Sequence, residues 1–445
     1  MRSVESMFNK RLLENISDYG AIKYFGSDEI ETFEAIKKDI KKYIAYFRGL
    51  KKILLIAPYD IDWIKIYVAA LSLDITFMSL DVSDSMEYIQ TVIQENDFDL
   101  IISDIVPNTI PISELGNRVK PLRGDEGDSD PQSSVIMFTS GTTGTQKGIR
   151  MTTSQIIENT LSSNKKLRIS RNDSLLLSLP FSHCMGQLIL LCGLFGAREI
   201  VLANKTEHLL LALEKSNCNM TVLPPVILKL CSAKEKIIRK LSSYRCIVTG
   251  GAPLEYGLYN KLTASGVKVY NGYGATECVC GIAIADTNSS PEYGKLEPLD
   301  CCEIKLSECD EICVKGSCVC QEYTDGTPIV NNEWYHTKDI GKFDTQGNLF
   351  ILGRLDNVIV MNNGYKIVIE DVENKILSHY SAIKDCRVSY HKEKNRDFLE
   401  LSVVSERELP KDFLFKLNET LPVNERIFRV ERVSSVRNHR GKIIR

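Results

Sequence analysis

Short apolar runs alternate with amphipathic stretches along the first part of the chain. KILLIAPY from Lys52 predicts a strand, residues Asp62 to Leu73 a helix, and ITFMSL and DLIISD two further strands. The alternation resumes at Ser174, where helical segments separate the predicted strands SLLLSLP, REIVLA, NMTVLP, YRCIVTG and VKVYNGYG. Parallel strands need covering helices as crossovers, so this pattern predicts an α/β fold built in layers.

The pattern changes twice in the second half of the chain. Beyond Gly281 the helical periodicity stops, and turn-rich, strand-like segments continue to Ile351. After Gly353 a smaller stretch has its own mixture of strand and helix patterns. We therefore predict two domains, a large one at residues 1–353 and a small α+β domain at residues 354–445.

Composition narrows the class of protein. The 445 residues are 43% hydrophobic and 25% charged, with a net charge of −3, as in ordinary globular proteins. No long basic tract is present, so a nucleic-acid partner is not expected. The longest apolar stretch, from Met185 to Gly196, is too short to span a membrane. The first residues, MRSVESMFNKRL, lack an apolar signal core, so we expect a cytoplasmic protein with reduced thiols.

The fourteen cysteines are unevenly placed. The crowded stretch contains Cys301, Cys302, Cys309, Cys313, Cys318 and Cys320. Their CC and C-x-C spacings lack the paired C-x-x-C of a zinc knuckle. Because cysteine also behaves as a small apolar residue, the spacing favours core and sheet positions over a metal site.

A loop rich in glycine and hydroxyl groups follows a predicted strand in VIMFTSGTTGTQKGIRM, from Val135 to Met151. Glycine lets backbone N–H groups approach a phosphate closely, and hydroxyl groups add donors. In the P-loop pattern a Ser or Thr follows the lysine, whereas here Gly148 follows Lys147. The segment therefore predicts phosphate binding but excludes a generic P-loop NTPase.

Two more glycine-bearing segments end predicted strands. VTGGAPL, from Val248 to Leu254, offers a backbone surface for a flat ring, and NGYGATE follows at the next strand. In the second segment Tyr273 offers an aromatic face, while Thr276 and Glu277 suit a phosphate with its Mg²⁺. Open α/β sheets bind ligands at the carboxyl ends of their strands, so the three segments together predict a nucleotide site.

These motifs and their order carry a resemblance to a known family. With LPFSHCMG, YHTKDIG…GRLDN and the terminal RGKIIR, the chain resembles the AMP-forming adenylating superfamily of acyl- and aryl-CoA ligases, peptide-synthetase adenylation domains and luciferases. The resemblance covers nearly the whole chain. It implies α/β layers with mixed sheets and a β-rich subdomain in the large domain, and a small domain that is mobile.

The resemblance also implies roles for single residues. The ATP phosphates would be wrapped by Thr139, Ser140, Gly141, Thr142, Thr143 and Gly144, with Lys147 nearby. Adenine would be bordered by Gly251, Ala252, Pro253, Asn271, Gly272, Tyr273 and Gly274. Thr276 would contact the α-phosphate and Glu277 the Mg²⁺, while Asp339 and Arg354 would hold the ribose.

Further implied roles concern the acyl group and the small domain. Asp356 would be the hinge, Gly364 would line the thiol tunnel, and Lys442 would reach between carboxylate and α-phosphate for adenylation only. The acyl pocket would be formed by His183, Cys184, Pro225, Gly250 and Cys278. His183 is either a catalytic residue or a packed aromatic that gates the pocket.

The implied reaction activates a carboxylic acid with ATP and Mg²⁺ and transfers the acyl group to the thiol of CoA. The alternative acceptor is the phosphopantetheine of an acyl carrier protein, and a third possibility is a non-catalytic nucleotide-binding protein. Phe181-Ser182-His183 lacks the aspartate that holds the substrate ammonium in amino-acid-activating relatives, which disfavours an α-amino acid. Aliphatic and aromatic acids both remain open. Lys338 is a departure, because a glycine commonly precedes the ribose aspartate.

Overall fold

The computed structural model describes most of the chain. The described residues are 12–73, 75–115, 133–139, 147–203, 206–361, 366–380, 382–392 and 397–436.

The strands that lie wholly within these residues are, in chain order, β1 Ala21–Tyr24, β2 Ile30–Thr32, β3 Lys52–Ile56, β4 Thr76–Leu80, β5 Leu100–Ser103, β6 Ser134–Thr139, β7 Lys147–Thr152, β8 Ser174–Leu177, β9 Glu199–Leu202, β10 Met220–Val222, β11 Cys246–Thr249, β12 Val269–Ala275, β13 Cys280–Ile284, β14 Glu297–Pro298, β15 Glu303–Leu306, β16 Glu311–Lys315, β17 Val330–Asn331, β18 Trp334–Phe343, β19 Leu349–Arg354, β20 Val358–Val360, β21 Lys366–Val368, β22 Ile383–Lys392, β23 Asp397–Ser405 and β24 Ile427–Arg432. The corresponding helices are α1 Phe33–Phe47, α2 Ile61–Leu71, α3 Met86–Gln94, α4 Thr153–Leu167, α5 Cys184–Gly196, α6 Thr206–Lys215, α7 Pro225–Cys231, α8 Glu235–Leu241, α9 Tyr256–Ala264, α10 Ile369–His379 and α11 Phe413–Thr420.

The larger sheet has nine strands in the order β14-β13-β12-β11-β10-β8-β9-β1-β2. The six strands from β12 to β1 in this order run parallel, and the outer three pair antiparallel. One face packs into the main core with α4 and α5, and the other packs against α6 to α9. The loops that follow the parallel strands therefore meet at one edge of the sheet, where ligands bind in open α/β sheets.

The second sheet has the strand order β5-β3-β4-β6-β7. Helix α2 packs into the core shared with the larger sheet, and ten of its eleven residues are buried, including Trp63 and Tyr67. Strand β7 is the only antiparallel member, and its Lys147 lies opposite Thr139 of β6. The segment between these two strands, which carries the predicted phosphate loop, therefore begins and ends at neighbouring positions.

The rest of the chain forms a β-rich part and a small separate core. Strands β15, β16, β18, β17 and β19 form an antiparallel sheet. Beyond β19, helices α10 and α11 pack with β22, β23 and β24 around buried residues that include Val372, Leu401 and Leu417. This is the α/β architecture with mixed sheets, a β-rich subdomain and a small α+β unit that the sequence predicted.

Most of the predicted strands are confirmed, and one of them changes its partner along its length. The strand predicted at VKVYNGYG, which ends at Gly274, corresponds to β12, which ends at Ala275. Its first half, through Asn271, pairs parallel with β11, and from Gly272 it pairs antiparallel with β13. The change of partner lets one strand leave the parallel layer and enter the β-rich part. No helix of the described residues is long and apolar enough to cross a membrane.

Candidate active site

Two glycines on neighbouring strand ends allow a close approach of backbones. A Cβ atom at Gly250 would lie 2.8 Å from the Gly272 carbonyl oxygen, and one at Gly274 only 1.5 Å from the Cys280 carbonyl oxygen. Any side chain at these positions would force the strands apart. The strand ends of β11 and β12 therefore form a narrow surface made mostly of backbone.

The predicted adenine segment follows β11. Gly251 has a φ of 77°, and together with Ala252 and Pro253 it is exposed at the edge of the sheet. A Cβ at Gly251 would meet Met185 of α5 at 3.8 Å, so the start of this helix faces the same loop. Asn271 lies opposite Thr249 across β11 and β12. The exposed backbone here is accessible to a planar group.

Tyr273 connects the adenine segment to the predicted ribose residues. Its hydroxyl group donates to Asp339 Oδ2 at 2.6 Å, and Arg354 donates to Asp339 Oδ1 at 2.7 Å. Burial, together with the adjacent Asp339 carboxylate, raises the pKa of Tyr273 well above its ordinary value. The phenol thus stays protonated and acts as a donor. Asp339 is held from both sides by residues far apart in the sequence.

The backbone at Lys338 has the conformation that a glycine would adopt. Its φ is 60°, and its N–H donates to Glu311 Oε1 at 3.0 Å. The other Glu311 oxygen lies 2.8 Å from His336 Nδ1. Glu311 on β16 therefore holds a strained turn of β18 immediately before Asp339. No sequence motif singles out Glu311, which reaches this position through the pairing of β16 with β18.

Glu277 is joined to the start of β7 through a tyrosine that the sequence did not single out. The Tyr323 hydroxyl donates to Glu277 Oε1 at 3.0 Å, and the Lys147 ammonium lies 4.9 Å from the centre of the Tyr323 ring. Lys147 also pairs with Asp325 at 3.6 Å. The predicted metal ligand and the predicted phosphate lysine thus share one aromatic side chain.

Glu277 fits the ligand set of Mg²⁺, an ion usually held by one or two carboxylates. Its Oε1 accepts from Tyr323. Among the hydrogen bonds of the described residues, Oε2 has no partner and remains available. The neighbouring Thr276 hydroxyl adds a second oxygen on the same turn.

The predicted acyl-pocket residues divide into two groups. Cys184 Sγ lies 3.8 Å from the Thr276 hydroxyl oxygen, and a hydrogen bond between the Cys184 and Cys280 thiols lowers the pKa of Cys184 and raises that of Cys280. Cys278 instead is fully buried in the core of the β-rich part, with Ile312 among its neighbours. The pocket role of Cys278 stays a prediction, and Cys280, from the same predicted segment, is the thiol that contacts Cys184.

His183 is the N-cap residue of helix α5 and is exposed. The Tyr59 hydroxyl donates its proton to Asp81, and its oxygen accepts a hydrogen bond from the preceding Ser182 hydroxyl at 2.8 Å. Although burial opposes it, hydrogen bonds from Ser83 and Tyr59 lower the pKa of Asp81. The Asp81 carboxylate thus lies beside the Phe181-Ser182-His183 segment, which itself contains no acid. The Asp81 oxygens already accept hydrogen bonds from hydroxyl groups.

Pro225 is the first residue of α7, at the same carboxyl edge of the larger sheet. Asp356 lies exposed in a short 3-10 turn, Leu355–Asn357, after β19. A Cβ at the preceding Gly353 would lie 2.7 Å from Val368 Cγ1, so the chain packs tightly where the small unit begins.

Several predicted residues lie outside the described part of the chain. These are Ser140, Gly141, Thr142, Thr143, Gly144, Gly364 and Lys442. Of Thr139 only the backbone is described, at the end of β6. Their roles stay predictions.

A family model described as AMP-binding enzyme matches residues 17–324. The 2-succinylbenzoate–CoA ligase of Bacillus subtilis (strain 168) is 29% identical over 272 residues, covering 58% of this chain and 56% of that protein. The 4-coumarate–CoA ligase CCL1 of Humulus lupulus is 28% identical over 283 residues, covering 55% of this chain and 50% of that protein. The chain thus spans little more than half the length of these curated relatives.

Solved structures match over almost the full chain. O-succinylbenzoate coenzyme A synthetase from Bacillus subtilis, in complex with ATP and magnesium ion, has a TM-score of 0.77 at 22% identity, covering 98% of both chains. MatB from Rhodopseudomonas palustris, bound to ATP, has a TM-score of 0.83 at 16% identity, covering 98% of this chain and 97% of that one. At these identities the likeness establishes a shared fold.

Proposed function

This chain belongs to the AMP-binding enzyme family, and we propose that it joins a carboxylic acid to the thiol of CoA through an acyl-adenylate. The second candidate acceptor is the phosphopantetheine of a carrier protein, which ends in the same kind of thiol. CoA is preferred because the relatives named above are CoA ligases.

The observation that supports this proposal is the convergence of contacts on one short segment. Tyr273 reaches the ribose candidate Asp339, Thr276 reaches Cys184, and Glu277 reaches Tyr323 beneath Lys147. A nucleotide, an acyl group and a set of phosphates would therefore meet within five residues of chain. A protein that only bound a nucleotide would not need the acyl side of this arrangement.

The chemistry of the first step explains why these groups are needed. A carboxylate oxygen forms a bond to the α-phosphorus of ATP while the bond from that phosphorus to the bridging oxygen breaks, and pyrophosphate leaves. Both reactants are anions, so fixed donors and cations must offset their repulsion. We assign the α-phosphate to Thr276 and the outer phosphates to Lys147. Mg²⁺ bound at Glu277 would neutralise phosphate charge.

In the second step the thiol sulfur attacks the activated carbonyl carbon. A C–S bond forms, the C–O bond to AMP breaks, and AMP leaves with the electron pair, while the thiol proton passes to solvent. Lys442 is assigned to the first step only, as the resemblance implies. Asp356 is assigned as the hinge at which the small unit turns between the two steps, and Gly364 as a neighbour of the incoming thiol.

The acid itself is proposed to be aromatic, with aliphatic acids second. The relatives named above act on 2-succinylbenzoate and 4-coumarate. The helix that begins at Cys184 presents Met185 toward the adenine loop and packs against the apolar core. An aryl group needs such an apolar surface beside the reacting carboxylate.

The test is carboxylate-dependent exchange of pyrophosphate into ATP, measured on the purified full chain over aromatic, aliphatic and amino acids. We expect exchange with an aromatic acid, loss of exchange in Lys442→Ala, and no loss in Lys411→Ala, an exposed lysine of the same small unit. Exchange restricted to amino acids would contradict the substrate proposal. No exchange with any acid, while AMP still binds, would favour the non-catalytic alternative. Offering CoA and a phosphopantetheinylated carrier protein to the active enzyme then separates the two acceptors.

A further inference from the structure

Three cysteine thiols meet where the β-rich part contacts helix α4. Cys302 Sγ lies 2.9 Å from Cys318 Sγ and 3.9 Å from Cys301 Sγ. All three sulfurs lie within 4.8 Å of one another. Cys318 is buried, whereas Cys301 and Cys302 are partly exposed, so the group can be reached from solvent.

The backbone around the thiols is shaped to bring them together. Gly316 has a φ of 150°, and a Cβ there would lie 2.1 Å from the Cys301 carbonyl oxygen. A side chain at this position would separate the two segments that carry the thiols. The thiols thus meet through tertiary packing, and the sequence spacing gave no sign of it.

The size of the group suits a thiolate-bound metal ion. Metal–sulfur bonds of about 2.3 Å in a trigonal arrangement separate the sulfurs by about 4 Å. The separation of 3.9 Å is close to this value, the separation of 2.9 Å is shorter, and all three sulfurs lie within 4.8 Å, so a small opening of the group would admit an ion. Soft thiolate ligands select ions such as Cu(I) and Zn(II) over Mg²⁺.

A neighbouring amide group also contacts the thiols. The Asn159 amide donates to Cys301 Sγ at 3.8 Å. Binding of a metal ion to these thiols would release their protons.

Other thiols of the described residues differ from this group. Cys192, Cys231 and Cys246 are each buried among apolar side chains, and burial raises their pKa. A second group, Cys313 with Glu311 and His336, also has ligand atoms within 4.8 Å. There the Glu311 carboxylate accepts a hydrogen bond from the Lys338 N–H and contacts His336 Nδ1. These two contacts account for the position of Glu311.

We propose that Cys301, Cys302 and Cys318 form a binding site for a soft, thiophilic d10 metal ion of the Cu(I) or Zn(II) class. The site is separate from the Mg²⁺ ligand Glu277 but connected to it. Cys302 Sγ lies 3.8 Å from the Gly281 carbonyl oxygen, and Asn159 bonds both Gly281 and the Cys278 carbonyl. Occupancy of the site would therefore act on the turn that carries Thr276 and Glu277.

The test titrates Cd(II), a thiophilic d10 probe, into the reduced, metal-free full chain under anaerobic conditions. We expect one equivalent to produce an ultraviolet thiolate-to-metal charge-transfer band. In Cys301→Ser, and separately in Cys318→Ala, the dissociation constant should rise more than about tenfold. Cys309→Ser is the matched control, because Cys309 lies in the same subdomain with its thiol beside Ser307, and it should leave the titration unchanged.

Circular dichroism of each variant shows whether it folds. If Cys318→Ala does not fold, Cys301→Ser still tests the proposal, because Cys301 is only partly buried. Absence of the band in the reduced wild-type protein would overturn the proposal. So would a band that persists unchanged in a folded Cys301→Ser variant. The charge-transfer band and the dissociation constant do not depend on adenylation activity. This test can therefore fail while the proposed function holds, and the proposed function can fail while this test succeeds.

Discussion

The Tyr323 hydroxyl donates to Glu277 Oε1 at 3.0 Å while its ring lies beneath the Lys147 ammonium, 4.9 Å away. One side chain from the β-rich part thus orients a carboxylate and holds a cation on the two sides of the proposed phosphate site. Strand β7 makes an isolated bridge to Tyr323 through Ile149, which fixes this tyrosine in place.

Tyr323→Phe should lower kcat/KM for adenylation by about ten- to a hundredfold, because a hydrogen bond to a charged group contributes about 1.5–3 kcal/mol. Tyr323→Ala should lower it further, since Lys147 then also loses its aromatic contact. The measurement is pyrophosphate exchange at saturating acid. Equal activity of wild type and Tyr323→Phe would show that the hydroxyl does not orient Glu277.

Lys442→Ala should reduce adenylate formation by about two to three decades, about 3–4 kcal/mol, because it removes a cation from the meeting point of two anions. Thioester formation from preformed adenylate should be much less affected. Single-turnover assays of the two half-reactions measure this difference. An equal loss in both would remove Lys442 from its assigned role.

Lys338→Gly should stabilise the protein by about 1 kcal/mol, because a non-glycine residue at φ 60° carries a steric cost that glycine does not. The matched control is Lys342→Gly, an exposed position further along β18. There glycine should destabilise, since it adds freedom only to the unfolded chain. Urea unfolding midpoints compare the two; the same sign of change in both variants would contradict the interpretation.

Gly274→Ala should disrupt the site as well as the fold, because its Cβ would lie 1.5 Å from the Cys280 carbonyl oxygen. We expect a loss of at least about 2 kcal/mol in the free energy of unfolding. Gly257→Ala is the control, because a Cβ there meets nothing within 4 Å and the residue lies in helix α9. It should be neutral or stabilising by up to about 1 kcal/mol.

Tyr67→Phe should stabilise the protein. The Tyr67 hydroxyl is fully buried and has no hydrogen-bond partner within the described chain, so its removal relieves a desolvation cost of about 1–3 kcal/mol. Tyr270→Phe should do the opposite, because its hydroxyl donates to the Ser289 carbonyl at 3.0 Å. Thermal unfolding of both variants tests this; destabilisation by Tyr67→Phe would indicate that the hydroxyl has a partner.

Much of the fold follows from local pattern. The strands at Lys52, Ser174 and Cys246 were predictable because a short apolar run bounded by turn residues is typical of a buried strand. Strand β12 was predicted close to its observed end, but its change of partner from β11 to β13 was not. No local signal records which strand will lie alongside.

The sequence by itself determined the architecture, the family and the order of the proposed nucleotide-binding segments, since each rests on residue types at fixed spacing. Only the tertiary structure brought Tyr323 and Glu311 to the site, paired the Cys184 and Cys280 thiols, and collected Cys301, Cys302 and Cys318. The physical reason is the same in each case. Contacts between residues far apart in the chain are set by sheet register and close backbone packing, which spacing along the sequence does not encode.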